Sequence, residues 1–164
     1  MRIGSGLKPL KRGEKLAVLM PGMGAVSTTA IAGVAAVRKK LAAPVGSLTQ
    51  LGHLVDGGVH GALLKDVLPL APLEDVVFGG WDPIPDDAYA AALRAKVLRR
   101  EHLDPVKDEL SAIRPMPAVF ETAWVRRLDG PNVKLGTLRQ KAEALVEDIK
   151  GFMQRNGCAR GVMV

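Results

Sequence analysis

A glycine-rich segment near the start of the chain has the residue types and spacing of a phosphate-binding turn. Gly22 and Gly24 follow a short apolar run and precede a stretch rich in Ala, Ile and Val. Glycines at such a turn let a pyrophosphate approach the backbone, and free N–H groups at the following helix start hold the phosphates. Ser27 stands at the third glycine of the G-x-G-x-x-G pattern, and with Thr28 it could donate to phosphate. The segment predicts nucleotide binding, with a purely structural turn as the alternative.

The acidic residue that usually binds the ribose of a dinucleotide is missing from its expected place. It normally lies about 20 residues after the glycine-rich turn, but no Asp or Glu occurs between Thr28 and Gln50. Asp82 is the best substitute, because it follows the apolar run 76–78 and would stand at the carboxyl end of a parallel strand, where ligands bind. The alternative is that Asp82 caps the helix that follows it.

The histidines and the cysteine form no recognisable catalytic or metal-binding pattern. His53 and His60 lie in a glycine-rich segment with only Asp56 close by, too few ligands for a zinc site. Cys158 is the only cysteine, so it can form neither an internal disulfide nor a multi-cysteine site. The sequence also has no serine-centred nucleophile elbow. We therefore predict no metal site.

Strands alternate with helices along the chain. The apolar runs predicted to be strands are 15–20, 76–78 and 160–164, the last of them buried. The segments predicted to be helices are bounded by capping residues, basic residues or prolines: 27–41, 88–100, 104–113 and 138–156. This alternation predicts an α/β fold, a Rossmann-like doubly wound parallel sheet that is incomplete at its C-terminus.

The last predicted helix has the clearest pattern. Thr137 can cap its start, and Asn156-Gly157 is a stop signal. Its apolar residues repeat at three and four positions and predict one buried stripe: Leu138, Ala142, Leu145, Ile149, Phe152 and Met153. The strand that follows reaches Val164 with no further helix to cover its faces. We therefore expect this chain to be the front part of a larger protein.

Other segments give weaker signals. Residues 1–14 are polar and Gly-rich and predict a loose lead-in to one domain, 15–164. Residues 45–51 are compatible with a strand, and 52–61, with four glycines and two histidines, predict a loop. Residues 115–117, two of which are prolines, end the helix predicted before them, and 118–120 are compatible with a brief strand.

Composition argues against several classes of partner. The net charge is +6, but the basic residues are scattered, and Arg38-Lys39-Lys40 stands at a predicted helix end, where cations complement the helix dipole. Aromatic residues make up only 4%, which suits a nucleic-acid stacking platform poorly. No apolar stretch approaches the roughly 18 residues of a transmembrane helix, and no signal peptide is visible. We predict a cytoplasmic protein without nucleic-acid or membrane partners.

Several segments share their sequence, order and spacing with one known family. The segments are Leu19–Thr28, Gly46–Gly52, Val77–Asp82, Ala91–Val97, Leu110–Ala118 and Gly157–Val164. Together they resemble the inositol-3-phosphate synthase family, also called the myo-inositol-1-phosphate synthase family, in its prokaryotic form. The resemblance covers the chain from the glycine-rich turn to the last residue and corresponds to the N-terminal NAD-binding part of that family.

The resemblance implies an NAD-dependent isomerase that converts D-glucose 6-phosphate to 1D-myo-inositol 3-phosphate by oxidation, intramolecular aldol cyclisation and reduction. It implies ribose binding by Asp82. It also implies a pyrophosphate loop formed by Gly22, Met23, Gly24, Ala25, Val26, Ser27 and Thr28. The family's catalytic lysines are implied to lie beyond Val164, and the full-length enzyme is implied to be a homotetramer.

Two expectations follow for the isolated chain. It should be inactive as a synthase, because the implied catalytic and oligomerisation region is absent, and its affinity for NAD should be weak. Two alternatives remain open from the residues themselves. One is an NAD(P)-dependent dehydrogenase domain with net redox chemistry, and the other is a non-enzymatic nucleotide-binding module or a basic nucleic-acid binder.

Overall fold

The computed structural model describes residues 14–56, 59–121, 123–125 and 128–164. The strands in this part of the chain are β1 Lys15–Pro21, β2 His53–Asp56, β3 Val59–Leu63, β4 Val76–Trp81 and β5 Cys158–Met163. The α-helices are α1 Ala25–Arg38, α2 Leu48–Leu51, α3 Leu64–Val67, α4 Ala88–Ala95, α5 Arg100–Leu103, α6 Lys107–Ser111 and α7 Leu138–Asn156. Short 3-10 turns occupy Leu73–Asp75 and Asp104–Val106.

The central sheet has the strand order β4-β1-β5, and all of its strands are parallel. Val18 of β1 pairs with Phe78 on one side and with Val162 on the other. Successive side chains of β1 point to opposite faces, so Val18 joins the core around α1 and Ala17 joins the core around α7. Helices cover both faces, which confirms the predicted Rossmann-like α/β fold.

The face of the sheet that carries α1 also carries α4, α5 and α6. Its buried residues are Met20, Met23, Ile31, Ala32, Ala35, Ala88, Ala92, Leu103, Val106 and Leu110. The alanines belong to α1 and α4, and their small side chains let these two helices pack closely. This packing holds the first turn of α1 at the carboxyl end of β1.

Helix α7 covers the opposite face, and its ends are as predicted. Thr137 Oγ1 accepts a hydrogen bond from the Gln140 N–H at 3.3 Å, while Gln140 Oε1 accepts one from the Thr137 N–H at 2.9 Å. This reciprocal capping box satisfies two N–H groups at the helix start. Gly157, with φ +63°, ends the helix in the left-handed conformation that favours glycine.

The predicted apolar stripe of α7 is buried only in part. Its C-terminal members pack against Ala17, Leu19, Trp81 and Ala118: Leu145, Ile149, Phe152 and Met153. Leu138 is 75% exposed and Ala142 is also exposed. The core therefore leaves Leu138 and Ala142 uncovered, and Ala142 lines a cavity together with Leu145 and Ile149.

Residues 45–63 differ from the prediction. The stretch 45–51 is not a strand, since its C-terminal part forms the single helical turn α2. The predicted loop 52–61 contains most of an antiparallel hairpin, in which His53 pairs with Leu63 and Asp56 with Val59. The sequence signal for it was the Gly57-Gly58 pair, which is typical of two-residue hairpin connections.

The predicted helix boundaries are also corrected in three places. The helix expected over 27–41 spans Ala25–Arg38. The helix expected over 88–100 ends at Ala95, because Lys96 takes a left-handed conformation with φ +55°. The helix expected to start at 104–105 is instead a 3-10 turn that follows α5 directly and leads into α6.

A short segment extends the sheet beyond β4. Met116 makes a parallel bridge to Trp81, and Ala118 makes one to Val133. The brief strand predicted over 118–120 is therefore reduced to isolated bridges. Asn132 Nδ2 donates to the carbonyl oxygen of Asp82 at 2.8 Å, which ties this segment to the end of β4.

Strand β5 is not buried as predicted. It begins at Cys158, and residues 161–164 are exposed. In the described part of the chain, β5 has β1 as its one neighbour, so it forms an edge of the sheet. Cys158 packs against the α7 side of the core, and burial raises the pKa of its thiol.

Two members of the basic triplet at the end of α1 connect that helix to neighbouring segments. The Arg38 guanidinium donates to the carbonyl oxygens of Leu73 and Val76, and burial lowers its pKa. Lys39 Nζ lies 2.8 Å from Glu109 Oε2, and this hydrogen bond lowers the pKa of the Glu109 carboxyl. Both side chains join the end of α1 to neighbouring segments.

Candidate functional site

The glycine-rich turn leads from the carboxyl end of β1 into α1. Gly22 has φ +103°, in the left-handed region that favours glycine, and its N–H donates to the carbonyl oxygen of Trp81 at 2.7 Å. A Cβ built on Gly22 or on Gly24 would meet no heavy atom within 4 Å. The turn therefore has open space in front of it, into which any side chain at these positions would project.

The start of α1 is open to an anion. Gly24 is the N-cap residue, and no side chain caps the helix or places an acid in its first turn. Ala25, Val26 and Ser27 lie in that turn, where N–H groups have no carbonyl partner within an α-helix. The partial positive charge of the helix start adds to these donors. Backbone donors and the helix dipole are the two features by which helix starts bind phosphates in other proteins.

Asp82 joins the turn to the end of β4. Its side chain is 8% exposed; Oδ2 accepts a hydrogen bond from the Met23 N–H at 2.8 Å, and Oδ1 accepts one from the Ile84 N–H at 2.9 Å. The alternative role as a helix cap is wrong, because Asp87 caps α4 by accepting from the Ala90 N–H. A carboxylate has about four acceptor positions, so Asp82 retains acceptor capacity for a ligand hydroxyl.

The two hydroxyls predicted as phosphate donors are used inside the turn. Ser27 Oγ donates to the carbonyl oxygen of Gly22 at 2.6 Å, and Thr28 Oγ1 donates to that of Gly24 at 2.9 Å. Thr28 and Met23 are each 1% exposed. The structure therefore places the Thr28 and Met23 side chains in the core. The backbone N–H of Met23 donates to Asp82.

Two cavities meet at the turn, one on each face of the sheet. The α1-side cavity, of 750 Å³, is lined by the turn, by the first turn of α1 and by Ala91 and Arg94 of α4. The α7-side cavity, of 510 Å³, is lined largely by apolar residues, among them Trp81. Gly22 and Asp82 line both cavities. The remaining predicted site residues in the α1-side cavity are Gly24, Ala25, Val26 and Ser27.

A polar network that sequence reasoning missed borders the α7-side cavity. Trp81 Nε1 donates to Asp148 Oδ2 at 2.7 Å, and Lys134 Nζ lies 2.7 Å from the same oxygen. Trp81 is 4% exposed, so its ring is held against α7 directly beside Asp82. These residues come from separate segments, and no local pattern in the sequence connects them.

Metal-ligating side chains do not cluster in the described residues. In 14–56, 59–121, 123–125 and 128–164, no three His, Cys, Asp or Glu residues lie close enough to hold a metal ion. His53 lies in β2 and His60 in β3, but the side chains of Asp56 and His60 lie outside what the structure describes. Over the same described ranges, no helix is both long and apolar enough to cross a bilayer.

A family model matches residues 16–164 of the chain; it is that of an NAD-binding domain described as myo-inositol-1-phosphate synthase. Inositol-3-phosphate synthase 1 of Bacteroides thetaiotaomicron is 48% identical over 152 residues, which cover 92% of this chain and 35% of the relative. A probable inositol 3-phosphate synthase isozyme 3 of Arabidopsis thaliana is 31% identical, covering 87% of this chain and 31% of the relative.

Among solved structures, inositol-3-phosphate synthase of Caenorhabditis elegans superposes with a TM-score of 0.78 at 24% identity, covering 96% of this chain and 34% of that chain. At this identity the match shows the fold. The chain spans about a third of the length of the relatives it matches. The family resemblance identified in the sequence is confirmed.

The matching family model is that of an NAD-binding domain, so NAD is the cofactor of this family. The geometry of the turn suits NAD. Glycine at positions 22 and 24 leaves the space in front of the turn open, and larger side chains there would project into it. The uncapped start of α1 offers the donors that a pyrophosphate requires.

Proposed function

Because the chain belongs to the myo-inositol-1-phosphate synthase family, we propose that its residues 15–164 form an NAD-binding domain that serves the conversion of D-glucose 6-phosphate to 1D-myo-inositol 3-phosphate. The observation that carries the proposal is the open glycine-rich turn at an uncapped helix start, held in place by Asp82. NAD, when bound, supplies reversible oxidation of a substrate hydroxyl.

The pyrophosphate is assigned to the start of α1. The N–H groups of Ala25, Val26 and Ser27 are its donors, and the turn residues Gly22 and Gly24 let it approach the backbone. Ser27 supports the turn through its hydrogen bond to the Gly22 carbonyl oxygen rather than by contacting phosphate with its hydroxyl. Thr28 and Met23 act in the same indirect way, from within the core.

The adenosine is assigned to Asp82 and the adjoining α7-side cavity. Asp82 lines that cavity and keeps acceptor capacity for the ribose hydroxyls. The cavity is lined mainly by apolar side chains, including Trp81, Phe120 and Ile149, which suit the flat face of a purine. In this assignment Asp82 takes the role of the ribose-binding acid, which is missing between Thr28 and Gln50.

We assign no acid–base step of the reaction to the described residues. Among those that line the two cavities there is no lysine, and the one carboxyl side chain, that of Asp82, accepts backbone N–H groups. The proposal retains the expectation that the isolated chain is inactive as a synthase. It also retains a homotetrameric full-length enzyme, a cytoplasmic location, and no nucleic-acid or membrane partner.

The test is NAD affinity after a carboxylate is placed at the open helix start. G24D should weaken NAD binding more than about tenfold, because the carboxylate repels the pyrophosphate and competes for its N–H donors. The matched control is G33D, the same substitution in the middle of α1, where a Cβ also meets no atom within 4 Å. Isothermal titration calorimetry measures both.

Equal NAD affinities for G24D, G33D and the wild-type chain would refute the proposed site. Net accumulation of NADH with a substrate would favour the dehydrogenase alternative, since the synthase reaction returns its hydride to the product. Formation of inositol phosphate by the isolated chain would refute the expectation that it is inactive.

A further inference from the structure

We infer that Arg94 is a further phosphate ligand of this site, and that it exchanges its ion pair with Asp86 for the pyrophosphate of NAD. The inference rests on the proposed function, because it concerns the same cavity. It adds a cationic side chain to a site that the glycine-rich motif describes only through backbone groups.

The position of Arg94 brings it to the cavity that contains the helix start. Arg94 lies in the last turn of α4, and its neighbours Ala91 and Ala95 line the α1-side cavity with it. The lining also includes Gly24 and Val26 at the start of α1. Among the described residues of this lining, Arg94 is the one basic side chain.

The ion pair that now holds Arg94 is easily exchanged. Arg94 pairs with Asp86, and their side chains are 42% and 37% exposed. Pairs this exposed contribute little stability, because water screens the attraction and both side chains lose freedom. A phosphate can accept two parallel hydrogen bonds from the planar guanidinium, as a carboxylate also can. A bound pyrophosphate can therefore compete with Asp86.

The charge balance of the cavity calls for such a cation. A pyrophosphate brings two negative charges next to Asp82, which lines the same cavity. The helix start opposes them with only about half an elementary charge. Arg94 adds one full positive charge, which offsets part of this negative excess once its pair with Asp86 is exchanged.

The experiment titrates NAD, inorganic pyrophosphate and adenosine separately into the wild-type chain and its variants by calorimetry. R94A should bind NAD and pyrophosphate about tenfold more weakly, as loss of a charge-assisted hydrogen bond predicts, with adenosine unaffected. R94K should recover part of the loss. D86N should bind NAD about threefold more tightly, because it removes the competing carboxylate while leaving Arg94 in place.

The matched control is R99A, which removes an exposed arginine that pairs with Glu101 outside the cavity lining and should leave NAD affinity unchanged. If Arg94 only braces α4 through Asp86, R94A and D86N will change NAD affinity in the same direction, which overturns the inference. If the wild-type chain binds NAD and R94A binds it with equal affinity, the inference about Arg94 is overturned while the proposed function stands. A wild-type chain that binds neither NAD nor pyrophosphate overturns both this inference and the proposed function.

Discussion

Asp82 combines a structural task with the proposed ligand-binding task. Its two carboxylate oxygens accept backbone N–H groups from Met23 and Ile84, so one side chain joins the glycine-rich turn to the end of β4. The same carboxylate lines both cavities. At the residue scale, the geometry of the site depends on a contact between residues 59 positions apart in the sequence.

Replacing Asp82 should destabilise the chain as well as the site. D82A leaves two backbone donors without their acceptors in a nearly buried environment, and we expect it to lower the free energy of unfolding by about 2–4 kcal/mol. Urea denaturation followed by circular dichroism measures this loss. D82N, which keeps one acceptor oxygen, should fall between D82A and the wild-type chain.

The control for this prediction is D129A. Asp129 also accepts a backbone N–H, from Gly130 at 2.8 Å, but it is exposed. Its loss should change stability by no more than about 0.5 kcal/mol. Similar stability losses in D82A and D129A would contradict the structural task assigned to Asp82.

Two glycines of β4 set how closely neighbouring elements approach it. A Cβ on Gly80 would overlap the carbonyl oxygen of Met20 in β1, whereas a Cβ on Gly79 would overlap the ring of Phe152 in α7. At the element scale, the Gly79-Gly80 pair thus allows close strand pairing at one position and close helix packing at the other. These glycines lie before the last residue of β4 and do not line either cavity.

The two glycines should differ in their tolerance of alanine. G79A should lower the free energy of unfolding by about 1–3 kcal/mol, because the Phe152 ring can shift. G80A should cost more, above about 3 kcal/mol, because its obstacle is the backbone of β1. Thermal or urea unfolding measures both variants.

G33A is the control, since a Cβ on Gly33 meets open space and alanine favours a helix by up to about 1 kcal/mol. Equal losses for G79A and G80A would show that strand β1 yields as easily as the phenylalanine ring. A loss in G33A would point instead to a general sensitivity of the chain to added methyl groups.

At the scale of the whole molecule, the two cores leave one edge of the sheet unpaired among the residues that the structure describes. Helices α1 and α7 cover opposite faces of β1, but β5 has one paired neighbour among the described strands. Val162, Met163 and Val164 are 45%, 54% and 77% exposed there. An apolar edge strand of this kind favours pairing with other chains.

We expect the isolated chain to self-associate through this edge as its concentration rises. V162K should reduce the self-association, because a lysine on an edge strand opposes pairing between chains. Sedimentation velocity over a range of protein concentrations measures the effect. V97K is the control, since Val97 is equally apolar and 57% exposed but lies after α4. A V162K chain that associates as strongly as wild type and V97K would exclude β5 as the contact.

Local patterns in the sequence predicted some elements well and others poorly. Strand β1 and helix α7 were predicted because each has a strong periodic or apolar pattern and clear end signals, such as Thr137 and Gly157. The hairpin β2–β3 was missed because glycines and histidines weaken the strand pattern there. The break after Ala95 was missed because a left-handed Lys96 has no marker in the sequence.

The amino-acid sequence by itself determined the fold class, the family and the position of the glycine-rich turn. It could do so because these depend on residues that are neighbours along the chain, where spacing and residue type act directly. Only the tertiary structure decided that Asp82 binds the turn, that Thr28 and Met23 face the core, and that Arg94 borders the helix start. Those contacts join distant segments, and they depend on how the helices pack across both faces of the sheet.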